Sequence, residues 1–415
     1  MNLESVSSTS LLIAFILYTV SFFLFVIAVT GKKWSSRDPE QHTRKWANLG
    51  FIAAIAGLAA QLVFFFARWY VAGHIPTSNM FEFMTFLAMM IMAAFVVIYL
   101  IYRSALIGMF AMPVGVIILA YALVFPPDIQ PLIPALQSYW LYIHVTTAAL
   151  GEAFFAVGFA AGLMYLIRVT DFRNSKRERR SLEFVIYIVL VILAFVLAVY
   201  TFKGMNYSAS FEQETTKIDQ NGQEVTEVGV VDYVLPPLVK PYNSVTVEMT
   251  PFLGMTEPLF EAPSWMNGVN AGRKLNTFIW SVIFGAILYA LIRLILRKPI
   301  SSAIQPALTG MDAEDLDEIS YRAIAIGFPI FSLGALIFAM IWAHKAWGRF
   351  WGWDPKEVWA LITWLFYAAY LHLRLSRSWH GVRSAWMSVI GFVVVMFTLI
   401  GVNLIIAGLH SYAGV

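Results

Sequence analysis

The feature that most limits what this chain can become is the recurrence of long apolar stretches. Ten of them run at about 10–30, 48–70, 80–102, 105–125, 140–167, 182–202, 275–296, 320–342, 356–374 and 384–409. A hydrocarbon core of about 30 Å needs roughly 20 mostly apolar residues per helix. Within it, only helices and closed barrels pair every backbone group. The expected fold is therefore an all-α polytopic membrane protein with about ten transmembrane helices. Composition agrees: 60% of residues are hydrophobic and 13% charged, where soluble domains carry roughly 25% charged.

Lysine and arginine orient the bundle, because cytoplasmic loops hold the excess. The loops and adjoining span ends after spans 1, 3, 5, 7 and 9 hold 5, 1, 6, 4 and 3 of them. Those after spans 2, 4 and 8 hold 1, 0 and 3. Both termini are accordingly expected outside. The first span reads as retained rather than cleaved, since nothing basic precedes it and Gly31-Lys32-Lys33 follows it. Three regions emerge: spans 1–5 in 1–181, a transmembrane hairpin with an external loop in 182–300, and spans 8–10 in 301–415. The external loop, about 203–275, holds alternating segments Thr215–Asp219 and Glu224–Val228 around Asn221-Gly222. That is a hairpin signal and predicts a small β-rich cap. The acidic segment 300–319, around Asp312–Glu318, reads as a solvated connector.

Several function classes drop out. There is no cysteine, which removes disulfides, thiolate metal sites and a Cys nucleophile. A net charge of +3 is too small to imply a nucleic-acid partner. No phosphate-binding loop of the Walker type and no dinucleotide fingerprint occurs, so the chain carries no ATP motor.

Chemistry concentrates in WAHKAWGRFWGWDPKEVWALITWLFYAAYLH, where Trp342, Trp347, Trp351, Trp353, Trp359 and Trp364 are six of 14 tryptophans. An interfacial belt places one or two aromatics at a helix end. Here Trp347, Phe350, Trp351 and Trp353 crowd one loop with Gly348 and Gly352. This predicts either a flat aromatic surface for a large planar ligand or an ordinary interfacial anchor. Asp354-Pro355-Lys356-Glu357 fits N-cap to N3 of the next helix, a capping box. Asp354 thus has a structural reading beside a ligand reading.

Histidines sort by side. His42 and His380 fall in basic loops and are expected in solvent, and His74 and His344 fall in outer loops. His144 begins span 5 and His410 ends span 10, both on the outer side with the tryptophan loop. Two imidazoles beside an aromatic platform suit axial ligation of a haem iron. His372 lies roughly 25 Å deeper along its helix, counted from Pro355 at about 1.5 Å per residue, near the inner leaflet. It reads as a functional intramembrane histidine or as an interfacial one beside Arg374. Glu82 and Glu152 are buried acids that serve either a propionate- or proton-handling network or a bond to a neighbouring helix.

At WGRFWGWDPKEVWALITW the sequence resembles the tryptophan-rich WWD signature of haem-handling proteins. With GHIPTSNMFEF before it and YLH and GLHSY after it, the chain is similar to the CcsA/ResC (CcsB-named) family of system II cytochrome c biogenesis. The likeness spans roughly 60–180 and 310–415, and this resemblance marks the hairpin of 182–300 as an insertion. The resemblance implies haem delivery across a bacterial cytoplasmic membrane and its presentation on the outer face. There, thioether attachment to the Cys-x-x-Cys-His of apocytochrome c would make the chain a holocytochrome c synthase subunit. It implies haem b, bound non-covalently, as the cofactor-like substrate. His144 and His410 match the two outer axial histidines, over Trp347, Trp351, Trp353, Asp354 and Trp359. His372 matches the inner histidine, whose counterpart belongs to a CcsB/ResB-type membrane partner. Thiol-reducing proteins are further expected partners. His344 departs from the family's Trp-Ala-Asn and adds a third outer histidine, and the tail Tyr412-Ala413-Gly414-Val415 is a milder departure. The rival readings are a haem transporter without ligation activity and a di-haem cytochrome b. The latter lacks a second intramembrane histidine to face His372.

Overall fold

A computed structural model describes residues 3–31, 38–129, 137–218, 224–266 and 270–402. Twelve α-helices are formed among them: α1 (Leu3–Thr30), α2 (Pro39–Ala72), α3 (Met80–Tyr102), α4 (Ala105–Ala122), α5 (Tyr139–Val169), α6 (Lys176–Gly204), α7 (Ala271–Leu296), the short α8 (Ile300–Ile304), α9 (Ala313–Phe331), α10 (Ala339–Trp347), α11 (Pro355–Arg374) and α12 (Val382–Met396). Two π-helical stretches interrupt this pattern, Ser332–Phe338 between α9 and α10 and Phe397–Gly401 after α12.

Nine helices among the described residues are long and apolar enough to cross a membrane: α1 to α7, the continuous Ala313–Trp347, and Val382–Gly401. The chain is an all-α polytopic membrane protein. The tenth expected span is also a helix, α11, and its 20 residues reach about 30 Å at 1.5 Å per residue. It is not among the nine, because Lys356, Glu357, His372 and its Trp and Tyr rings dilute its apolar character.

Among the described residues the chain divides into two compact units, one of residues up to Leu182 with 301–402, the other of Glu183–Ile300. In the first, α5 is the central helix, packed against α3, α4, α9, α10 and α12. Lipid tails are as apolar as leucine, so membrane helices associate through close packing of small residues and interhelical hydrogen bonds. Both operate here. A Cβ on Gly158 would lie 2.7 Å from Ile324 of α9. At the same place Ser320 donates to the Gly158 carbonyl at 2.8 Å. Further along α5, Phe155 stacks on Tyr367 of α11 at 3.7 Å. Helices α1 and α2 are joined by Tyr18, whose hydroxyl donates to Gln61 at 2.7 Å. Gln61 in turn donates to the Thr85 carbonyl of α3 at 2.9 Å.

Two buried ion pairs fasten this unit. Arg68 and Glu82 meet at 2.7 Å with 7% and 0% side-chain exposure. Ser78 supplies its N–H and its hydroxyl to the other Glu82 oxygen, and Arg68 also donates to the Pro127 carbonyl. Glu82 therefore bonds a neighbouring helix, the structural one of its two readings. Arg374 of α11 contacts Asp317 of α9 at 2.7 Å and lies over the Tyr321 ring. His42 departs from expectation: it is buried at 7% exposure, its Nε2 3.1 Å from the Ile27 carbonyl. Its ring thus meets the end of α1, which a count of basic neighbours cannot register. His380 is exposed as expected and contacts the Arg374 carbonyl.

In the second unit, the anticipated hairpin is present. Strands β1 (Ala209–Ile218) and β2 (Glu224–Tyr233) pair antiparallel from Ala209↔Tyr233 to Ile218↔Glu224. The Asn221-Gly222 turn itself lies outside the described residues. The strand β4 (Ser244–Met249) joins the other side of β1, with a bulge at Ser210/Phe211. Two short strands, β3 (Val239–Lys240) and β5 (Phe260–Glu261), pair in parallel. Asn276 and Trp280 of α7 tie the sheet to the helix. Asn276 Oδ1 accepts from Leu238 at 2.8 Å, and the Trp280 ring N–H donates to the Pro236 carbonyl at 2.6 Å.

Candidate functional site

The first turns of α5, the end of α10 and the start of α11 meet at one end of the helical unit. A ladder of ring contacts joins α5 to the Ser332–Trp347 segment. Trp140 packs on Phe338 at 6.0 Å, and Lys345 sits over the Tyr139 ring at 4.8 Å. Between them, His144 stacks on Trp342 with centroids 5.7 Å apart and planes 12° apart. Trp342 is 2% exposed and meets Trp347 edge-on at 4.7 Å.

Hydrogen bonding fixes the His144 ring further. Its Nδ1 lies 2.9 Å from the carbonyl oxygen of Gly334, in the π-helical stretch. A carbonyl only accepts, so Nδ1 is the protonated nitrogen and the neutral ring holds its lone pair on Nε2. That nitrogen is the one able to ligate a metal.

The loop after α10 begins where Gly348 adopts φ +72 and closes the helix on the His344 carbonyl. His344 is exposed and stacks on Phe350 at 4.2 Å and 6°, so this extra histidine is engaged by the loop's own phenyl ring. Trp351 and Trp353 meet edge-on, 5.9 Å apart at 84°. The rings thus present faces and edges in turn, where a single flat surface was expected. Trp353 is 71% exposed and held at φ +57. For a bulky side chain the left-handed region costs roughly 1–2 kcal/mol, and such strain clusters at ligand clamps. The Trp351 ring N–H is buried with no hydrogen-bond partner among the described residues.

Immediately after, the anticipated capping box is complete. The Asp354 carboxylate accepts the Lys356 N–H at 3.2 Å, and Glu357 accepts the N–H groups of Gly352 and Asp354 at 2.7 and 3.2 Å. Capping accounts for the burial of Asp354 and anchors the tryptophan loop to α11. Trp359, one turn in, packs on Phe397 at 4.4 Å, while Trp364 donates to Ser332 at 2.8 Å. The second π-helical stretch therefore braces α11 from one side and the first from the other.

The site residues named from the sequence divide into three groups. His144 lies one ring away from Trp342 and two from Trp347, while Trp351, Trp353, Asp354 and Trp359 follow along the loop and α11. His372 is exposed near the far end of α11, apart from the aromatic loop. His410 lies outside the described residues. Among the described residues no three His, Asp or Glu side chains gather to hold a bare metal ion. An iron already held by four porphyrin nitrogens needs only axial ligands.

Sequence reasoning missed Gly334 and the burial of Trp342. A lone glycine in an apolar span gives no local signal, and no pattern announces a π-helical stretch. Glu152 was noticed, and the structure leaves its Oε2 buried without a hydrogen-bond partner among the described residues. The nearby Tyr367 hydroxyl is in the same condition.

Comparison with known proteins gives consistent relatives. A family model described as cytochrome c assembly protein matches residues 77–211 and 277–410. The interval between the two stretches holds most of the strand residues. The chain is 34% identical over 355 residues to the cytochrome c biogenesis protein CcsA of Trichormus variabilis, covering 83% of each. To the CcsA of Nostoc punctiforme it is 33% identical over 377 residues, covering 88% of this chain and 90% of the other. A Synechococcus CcsA (strain JA-2-3B'a(2-13)) is 34% identical over 375 residues, 88% of this chain and 83% of that one.

Proposed function

The chain belongs to the CcsA/ResC family of cytochrome c biogenesis proteins, and from that premise we propose that it carries haem across the membrane and presents it for covalent attachment. Membership makes it a multi-pass membrane protein of cytochrome c maturation. The finer reading is that haem b is held on the outer face of a bacterial cytoplasmic membrane, between His144 and His410. The rings of Trp347, Trp351, Trp353 and Trp359 then line its plane, with Asp354 capping the helix that carries them. His372 belongs to an inner haem site completed by a histidine of a CcsB/ResB-type partner.

One observation carries this reading: the His144 ring is stacked, half-buried and protonated on Nδ1, so its Nε2 faces the role of ligand. The Trp351 ring N–H, without a hydrogen-bond partner among the described residues, fits the same occupant, because haem propionates are carboxylate acceptors. The attachment needs no redox change in the bond-forming step. Each thiol S–H of the apocytochrome Cys-x-x-Cys-His adds across a vinyl group. A C–S and a C–H bond form, while an S–H bond and a C=C π bond break. What this chain supplies is position and exclusion of water. Apocytochrome c, the membrane partner and thiol-reducing proteins are its expected company.

The test is co-expression with the partner and an apocytochrome in cells lacking their own maturation system. Covalent cytochrome c that disappears in the His144→Gly and His410→Gly variants and returns with added imidazole supports the assignment. Purified protein that carries haem while no covalent product forms would establish a transporter without ligation activity and overturn the synthase reading.

A further inference from the structure

The ring orientation of His144 has a specific source in the chain. Ser332–Phe338 is wound as a π-helix, a geometry that is rare and frequent at functional sites. Within it, Gly334 lies against α5 so closely that a Cβ would stand 2.3 Å from the Ala148 nitrogen and 2.6 Å from the Thr147 carbonyl carbon. Any side chain there must push the two helices apart. The close approach brings the Gly334 carbonyl to His144 Nδ1 at 2.9 Å. The same oxygen also accepts the Ala339 N–H across the wide turn, using its second lone pair. Ser332, at the head of the stretch, accepts from Trp364 of α11 and donates back to Phe328, which locks the stretch at its start. Trp342, just beyond its end, stacks on the imidazole plane.

We propose that this π-helical stretch is a positioning device, in which the Gly334 carbonyl holds His144 as the Nδ1–H tautomer and so aims Nε2 at the iron before haem arrives. It rests on the reading of His144 as a haem ligand. Histidine in water favours the opposite tautomer, with the proton on Nε2, which cannot ligate through that nitrogen. The hydrogen bond therefore does chemical selection as well as orientation. It also leaves more electron density on the ligating nitrogen, as partners behind metal-bound histidines do. Gly334 itself is a positioning residue and touches neither haem nor thiol.

The experiment uses the full-length, haem-free protein in lipid nanodiscs with ring-15N histidine. Seven histidines are present, and His144 is identified by its loss in His144→Gln. The expected signal is a protonated Nδ1 with a lone-pair Nε2. A protonated Nε2 in the wild-type protein overturns the proposal by itself, with no variant needed. The companion variant deletes Leu333, which is exposed at 44%. Removing one residue takes away the extra residue that a π turn holds and leaves the downstream helix face in phase. In this variant His144 is expected to revert to mainly Nε2–H, and its haem midpoint potential to rise. An unchanged tautomer in a deletion variant of normal helicity and melting temperature overturns the proposal. Failure of the ligand reading shows elsewhere: haem retained by His144→Gly overturns ligation, whatever the tautomer measured.

Discussion

His144 and His372 sit in the same unit and were both marked by the sequence as haem-handling, yet their surroundings are opposite. His144 has a carbonyl behind one nitrogen, a tryptophan face along its plane, and helices on both sides. The His372 ring is exposed and has no hydrogen-bond partner among the described residues. Two residues away, Arg374 turns inward to Asp317 and the Tyr321 face. One imidazole is preorganised by its own chain. The other lies on an open face of α11 beside a fixed anchor. The difference teaches that this chain by itself fixes the first imidazole and leaves the second unconstrained.

The largest effect is expected at the anchor. Arg374→Ala leaves Asp317 buried and uncompensated, and breaking such a pair costs roughly 3–5 kcal/mol. Thermal unfolding in detergent should fall accordingly, and Arg374→Met with Asp317→Leu should recover most of the loss. If Arg374→Ala melts like wild type, the end of α11 is not fixed as described.

Next comes the preorganised histidine. Removing partners behind a metal ligand costs roughly 10–100-fold, so with His144 in its proposed role as ligand, His144→Gly should lower covalent cytochrome c yield by at least about 100-fold. External imidazole should restore a low-spin haem spectrum. A yield within a few-fold of wild type would make the two histidines equivalent and erase the comparison.

A smaller effect is expected at Trp353. Its left-handed backbone costs roughly 1–2 kcal/mol, and glycine returns roughly 0.5–1 kcal/mol of that in chain entropy. Trp353→Gly should therefore gain about 0.5–1 kcal/mol in stability while losing haem affinity in a titration. Loss of stability instead would show that the exposed ring is structural.

The smallest belongs to the open histidine. His372→Gly, at an exposed position, should change stability by no more than about 0.5 kcal/mol. Haem held at His144 should be unchanged in this chain alone. A deficit is expected only when the membrane partner is co-expressed, as reduced haem loading of the complex.

Much of this was legible in the sequence because the signals are local or compositional. Apolar stretches of helical length can do little in a bilayer except become helices. The capping box at Asp354 and Glu357 uses atoms three residues apart, and the Asn221-Gly222 hairpin joins adjacent strands. What escaped is long-range. His42 read as solvated because its neighbours are basic, but the fold places it against the Ile27 carbonyl. The span at 356–374 reads like the others, though its charged end, His372 and rings leave α11 outside the nine helices apolar enough to cross a membrane among the described residues. The aromatic loop read as flat, since ring angles depend on backbone dihedrals such as that of Trp353, which residue names do not encode.

The sequence by itself determined the class of molecule, the rough place of the long helices, the crowding of tryptophan before α11 and the family. Each follows from burial in lipid, from local hydrogen bonding or from a long motif. Only the tertiary structure decided which nitrogen of His144 meets the Gly334 carbonyl and which acid pairs with which arginine. It alone showed that a glycine 190 positions away sets the imidazole. Those facts arise where two helices approach within a Cβ of contact, and a sequence holds no record of distances between residues far apart along it.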